Sequence, residues 1–243
     1  MKRKVRRVAG TLEKLLGVPH QARRLPSALD MLIATILSQN TNDKNSHRAY
    51  TNLKKTFTRW EDVAAAPVGR VKAAIRSGGM ANQKSARIKE TLATVKSRYG
   101  KYDLSALRKK SDEAVIEELT AMNGVGFKTA SCVLLFSMGR DVFPVDTHVH
   151  RICNRLGLVS NTSIPEKTYE RMKELIPQGK GYSFHTNLIR FGRKICRSAN
   201  PACDICPLYM ECGFEGKMPK KKSGSRLQST ADHDFMLLDN VQA

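Results

Sequence analysis

The sequence predicts an all-α protein, on three observations. Apolar residues recur at intervals of three and four through most of the chain; no segment alternates polar and apolar residues for long; and the breaks between helical segments are short. At 243 residues the chain is long enough for one or two domains with a buried core.

The first 28 residues carry eight basic residues and one acid, and MKRKVRR lacks the apolar run of a secretory signal. They read as a basic arm, either simply solvated or making extra contact with phosphate. Pro26-Ser27-Ala28-Leu29-Asp30 begins the first clear helix, with Ser27 as N-cap and an acid three residues later. Leu29, Leu32, Ile33, Ile36 and Leu37 share one face of it, which predicts burial on that side. A polar cluster follows, Ser38-Gln39-Asn40-Thr41-Asn42-Asp43, with Asp43 read as a cap or a secondary acid. Helices are then predicted over 44–57, 67–76, 83–98 and 112–120; Gly78-Gly79 stops the second and Ser111 caps the last.

Asn123-Gly124-Val125-Gly126 breaks the pattern before a helix over 127–138, which Gly139 closes. Further helices are predicted near 147–156, 166–175 and 183–196. Residues 215–243 have little to bury and are expected to form a flexible tail. No stretch approaches the length that spans a membrane.

Chemistry concentrates in residues 119–146. Gly124 and Gly126 let backbone N–H groups approach a ligand with no Cβ in the way, and the positive end of the next helix points the same way. Together these suit an anion such as a phosphate, although a plain turn has the same letters. Lys128 stands in the first turn of that helix, where the helix end disfavours a cation. Asp146 follows 18 residues later, before Thr147-His148-Val149, and is also well placed as an N-cap.

A second cluster is Cys196, Cys203, Cys206 and Cys212, spaced Cys-x6-Cys-x2-Cys-x5-Cys. Four thiolates this close select zinc or an iron–sulfur cluster; two disulfides fit poorly without a secretion signal. Cys132 and Cys153 sit among apolar residues and read as core thiols. The balance of 42 Lys and Arg against 22 acids, a net charge of +20, favours a polyanionic partner such as nucleic acid; a generally basic protein, or one carrying ribosome-type tails, is the alternative.

LTAMNGVGFKTA followed by FPVDTHVHRICNRLGL resembles the helix-hairpin-helix and Gly/Pro-rich-loop-Asp signature of DNA base-excision glycosylases. Within that superfamily the resemblance is to the endonuclease III branch, over most of residues 25–214. It implies a six-helix barrel over 29–139, a second helical domain from residues 1–28 and 140–214, and an active site in the cleft between them. It also implies that the four cysteines, whose spacing matches the branch at every interval, hold one [4Fe–4S] cluster with a structural role. Basic residues beside them (Arg193, Lys194, Arg197) would meet phosphate.

The resemblance further implies a bifunctional DNA glycosylase and AP lyase acting on damaged pyrimidines or abasic sites in double-stranded DNA. Lys128 would attack the sugar, and Asp146 would take the proton and stabilise the developing cation. Asn40 and Met80 would fill the space left by an extruded nucleotide, though both depart from the glutamine and leucine usual there. Gly124 and Gly126 would bind the DNA backbone. His148 and His150 read as structural or phosphate contacts, and Arg151, Asn154 and Arg155 as scaffold.

Adenine-removing relatives lack the hairpin lysine and carry a further C-terminal domain, whereas here 31 residues follow Cys212. Uracil or thymine mismatch glycosylases, and a non-catalytic iron–sulfur DNA binder, are the alternatives. A monomer is expected, in a prokaryotic cytoplasm with the nucleoid, or in a nucleus or mitochondrion if the source is eukaryotic.

Overall fold

Polar caps and glycine stops cut the chain into eleven α-helices, with no strand among the described residues, in a computed structural model that describes residues 1–219 and Val241. In order they are α1 (Lys2–Leu16), α2 (Ala28–Ser38), α3 (Asp43–Thr56), α4 (Trp60–Ala65), α5 (Val68–Ala74), α6 (Ala81–Tyr99), α7 (Asp112–Thr120), α8 (Phe127–Met138), α9 (Thr147–Arg155), α10 (Pro165–Lys173) and α11 (Gly181–Lys194). The all-α expectation holds. Of the tail expected over 215–243, the part from residue 220 on, Val241 apart, lies outside the described residues. No helix among the described residues is long and apolar enough to cross a membrane.

The described residues group into two units, one of Met1–His20 with residues 141–219, the other of Gln21–Arg140 with Val241. In the Gln21–Arg140 unit the core is built on α2 and α8, which pack against each other. Ser27 caps α2 as expected, its hydroxyl accepting from the Asp30 N–H at 3.0 Å. The expectation of one buried face is corrected: every residue from Ala28 to Leu37 is buried, because α3, α6 and α8 all pack on this helix. Asp30 is buried with it, and its carboxylate accepts from Tyr50 Oη at 2.8 Å and Lys54 Nζ at 3.2 Å. α8 is buried from Thr129 to Met138. Each large apolar side chain removed from water in this way contributes roughly 1.5–3 kcal/mol.

In the other unit, α1 and α9 both pack on α11, and α10 packs on α9. The basic arm read from the first residues is corrected here. Residues 2–16 form an amphipathic helix that buries Val5, Val8, Ala9 and Leu12 while Lys2, Arg3, Arg6, Arg7 and Lys14 stay exposed. Arg7 pairs with Glu211, one residue before Cys212, so α1 is tied to the cysteine-bearing loop.

Candidate active site

The hairpin joins α7 to α8. Gly124 has φ +73°, a conformation that suits glycine, and Gly126 is the extended N-cap of α8 at φ −88°. Only Gly124 therefore needs glycine for its backbone. At Gly126 an added Cβ would enter open space, so this residue leaves an unobstructed approach to the first N–H groups of α8. Lys128 is the second residue of that helix and is half-buried. Its ammonium makes no hydrogen bond or ion pair with any described residue.

Two further turns in the same unit carry Asn40 and Met80. Both have left-handed backbones, φ 51° and 49°, a conformation that costs a non-glycine residue on the order of 1 kcal/mol. Asn40 is exposed, and Met80 is 46% exposed, unusual for so large an apolar side chain. The structure brings the two together: Asn40 Nδ2 lies 3.8 Å from Met80 Sδ. The cap of α3 is Asn42, accepting from Asn45 N–H at 2.9 Å, and Asp43 is the first helical residue, so the reading of Asp43 as the cap is corrected.

Two residues that sequence reasoning passed over lie beneath these turns, both on α6. Lys84 is 3% exposed and donates to the carbonyls of Leu37 at 2.8 Å and Gly78 at 2.7 Å. Burial pushes its ammonium down to about 8. Arg87 donates to Gln39 Oε1 at 2.7 Å, and a Cβ at Gly124 would stand 2.1 Å from its Nε. The available signal was a lysine in register with the buried stripe Ile88, Leu92 and Val95.

In the other unit, Asp146 caps α9, Oδ1 accepting from Val149 N–H at 2.8 Å. Its remaining oxygen, Oδ2, has no hydrogen-bond partner among the described residues. His150 is structural, with Nδ1 2.8 Å from Thr168 Oγ1. His148 lies 3.1 Å from Arg151, and burial holds its imidazole below the usual histidine range.

Cys196, Cys203, Cys206 and Cys212 line one recess, with Leu156, Phe191, Ile195, Tyr209 and Phe214 among its walls. Cys132 and Cys153 are buried core thiols, as expected. The loop carrying the four cysteines is held by two arginines of α9. Arg151 donates to Cys196 O at 2.9 Å; Arg155 donates to Arg197 O at 2.6 Å and Ser198 O at 2.9 Å, and lies 4.2 Å over the Phe214 ring. The Gly213 N–H closes the ring onto Arg155 O at 2.9 Å. Among the described residues, no three His, Cys, Asp or Glu side chains stand where they would hold a single metal ion.

An all-α unit with a glycine hairpin feeding a buried helix, in a chain whose second helical unit carries a four-cysteine loop, has the form of a helix-hairpin-helix protein. Comparison with known proteins agrees. The family model described as HhH-GPD superfamily base excision DNA repair protein matches residues 33–178. A provisionally named DNA glycosylase of Arabidopsis thaliana (At3g47830) is 41% identical over 192 residues, 75% of this chain and 65% of that protein. Endonuclease III of Thermotoga maritima is 35% identical over 198 residues, 82% of this chain and 88% of that one. A solved structure, described as a trapped endonuclease III–DNA covalent intermediate, superposes with a TM-score of 0.76 at 26% identity, covering 88% of this chain and 96% of that one. The chain belongs to the HhH-GPD superfamily of base excision DNA repair proteins, and within it to the endonuclease III family.

Proposed function

We propose that this DNA glycosylase is bifunctional, excising damaged pyrimidines from double-stranded DNA and then cutting the strand at the abasic site. The observation that carries this reading is Lys128: an amine in the first turn of α8, directly after an open glycine hairpin, with no partner among the described residues. A lysine kept out of ion pairs beside an open hairpin has its Nζ available to attack a bound sugar.

Lys128 Nζ attacks C1′ of the extruded nucleotide as the C1′–N bond breaks, and the base departs with the bonding pair and takes up a proton. Asp146 accepts the proton lost by the amine and offsets positive charge on the sugar. The C1′–O4′ bond then breaks, O4′ keeps its electron pair and takes up a proton, and the nitrogen lone pair forms a protonated C1′=N imine; this makes the C2′ proton acidic, and its loss forms C2′=C3′ as the C3′–O bond breaks and the 3′ phosphate leaves. In this reading Gly124 and Gly126 accept a backbone phosphate on free N–H groups, and Asn40 and Met80 fill the vacated stack. The covalent DNA intermediate named for the solved relative is in keeping with a covalent route.

The six-helix barrel and the metal-bearing domain are proposed to correspond to the units built on α2 with α8 and on α11. The four cysteines are proposed to hold one [4Fe–4S] cluster. They line a single recess with apolar walls, and a soft set of four thiolates at this spacing suits an iron–sulfur cluster. When bound, the cluster ties down a loop too short to have a core of its own. Arg151 and Arg155 brace that loop through its carbonyls.

Borohydride trapping on an oligonucleotide carrying thymine glycol or an abasic site tests the lyase. A covalent adduct is expected from the natural chain and none from Lys128→Ala. No adduct from the natural chain would leave a DNA-binding protein or a glycosylase without lyase activity.

A further inference from the structure

α6 reaches three functional turns from one side. Lys84, Arg87 and Glu90 are spaced three apart, which stacks their side chains along the helix. Lys84 grips Leu37 O, at the end of the helix leading to Asn40, and Gly78 O, two residues before Met80. Arg87 reaches the Gln39 amide and passes across Gly124 where only a missing Cβ leaves room. Glu90 accepts from Asn123 Nδ2 at 3.1 Å through both carboxylate oxygens.

The placement of Lys84 is costly. An ammonium with only 3% of its surface exposed has lost nearly all its water, and two carbonyls replace it. A leucine there would fill the space and continue the buried stripe. What the charge adds is a link between two turns that both hold a non-glycine residue in a left-handed backbone. Such backbones persist where neighbouring structure over-determines them.

We infer that Lys84 and Arg87 are positioning residues, which hold the Asn40 and Met80 turns as one wedge in fixed register with the Gly124 hairpin. This rests on the proposed role of Asn40 and Met80 in entering the duplex. Neither α6 residue touches the reacting atoms. They set how far the wedge enters when the hairpin has taken hold of a phosphate, and so how completely the opposite base is unstacked.

The test uses the full chain with a duplex carrying a tetrahydrofuran abasic analogue opposite 2-aminopurine, whose fluorescence rises on unstacking. The natural chain at saturation gives a rise. Arg87→Ala and Gln39→Ala are each expected to reduce it, and the double variant to do no worse than either, because both remove one link. Single-turnover excision of thymine glycol is expected to fall with it by about tenfold or more. Gln39→Ala changes a half-buried side chain in a turn, so it probes the link even where Arg87→Ala is poorly folded. Retention of the full rise in Gln39→Ala, or losses that simply add, overturns the inference. No rise with the natural chain removes the wedge itself, and the inference falls with it. A rise that falls in Gln39→Ala, without a borohydride adduct from the natural chain, supports the inference and refutes only the lyase.

Discussion

Gly124 and Gly126 look alike in the sequence and differ in what they need. Gly124 needs its backbone angle and the space that Arg87 occupies; Gly126 needs neither. Gly124→Ala should therefore cost about 1–2 kcal/mol of stability in urea melts. Gly126→Ala should change stability by less than about 0.5 kcal/mol, yet weaken binding to duplex DNA measured by anisotropy, because its methyl group enters the phosphate approach. Lys84 gives a signed pH effect. Its ammonium releases a proton at about 8 when folded against 10.5 when unfolded, so the unfolded chain binds the proton more tightly. Stability from this group thus rises as pH climbs through that window, by roughly 3 kcal/mol at most. Urea midpoints at pH 7 and pH 10 should show the natural chain gaining on Lys84→Met; parallel behaviour would mean the lysine keeps its proton.

At the scale of helices, local signals were legible wherever a short polar side chain could accept an N–H. Ser27, Ser111 and Asp146 each cap the helix expected of them, at 3.0, 3.2 and 2.8 Å. α8 was readable to the residue because glycines stand at both ends. α1 was missed because its charges drew attention from Val5, Val8 and Leu12, which already stood at helical spacing. α4 was missed for its length, six residues begun by an Asp62 carboxylate accepting from Arg59 N–H. The turns at Asn40 and Met80 were illegible, since nothing in a methionine announces a left-handed backbone. The α1 correction is testable: Leu12 is fully buried, so Leu12→Ala should cost about 2–5 kcal/mol, whereas a solvated arm would lose nothing.

For the molecule as a whole, the net charge of +20 points to a polyanion, and the four-cysteine spacing underlies the proposed cluster. What spacing could not give is the bracing of the cysteine loop, because Arg151 and Arg155 reach it from about 45 residues away through backbone carbonyls. The protein purified without chelator should be straw-brown, with broad absorbance near about 400 nm and iron and sulfide in equal amounts. Stripping the iron should cost cooperative unfolding of the α11 unit. A colourless protein holding one zinc would overturn the cluster and leave the lysine chemistry untouched.

The most direct measurement is mass-spectrometric mapping of the borohydride-reduced protein–DNA adduct after nuclease and protease digestion. A deoxyribose-derived remnant is expected on Lys128, in a peptide no longer cut at that residue. A remnant on any other lysine or on the N-terminal amine, with Lys128 unmodified, would contradict it.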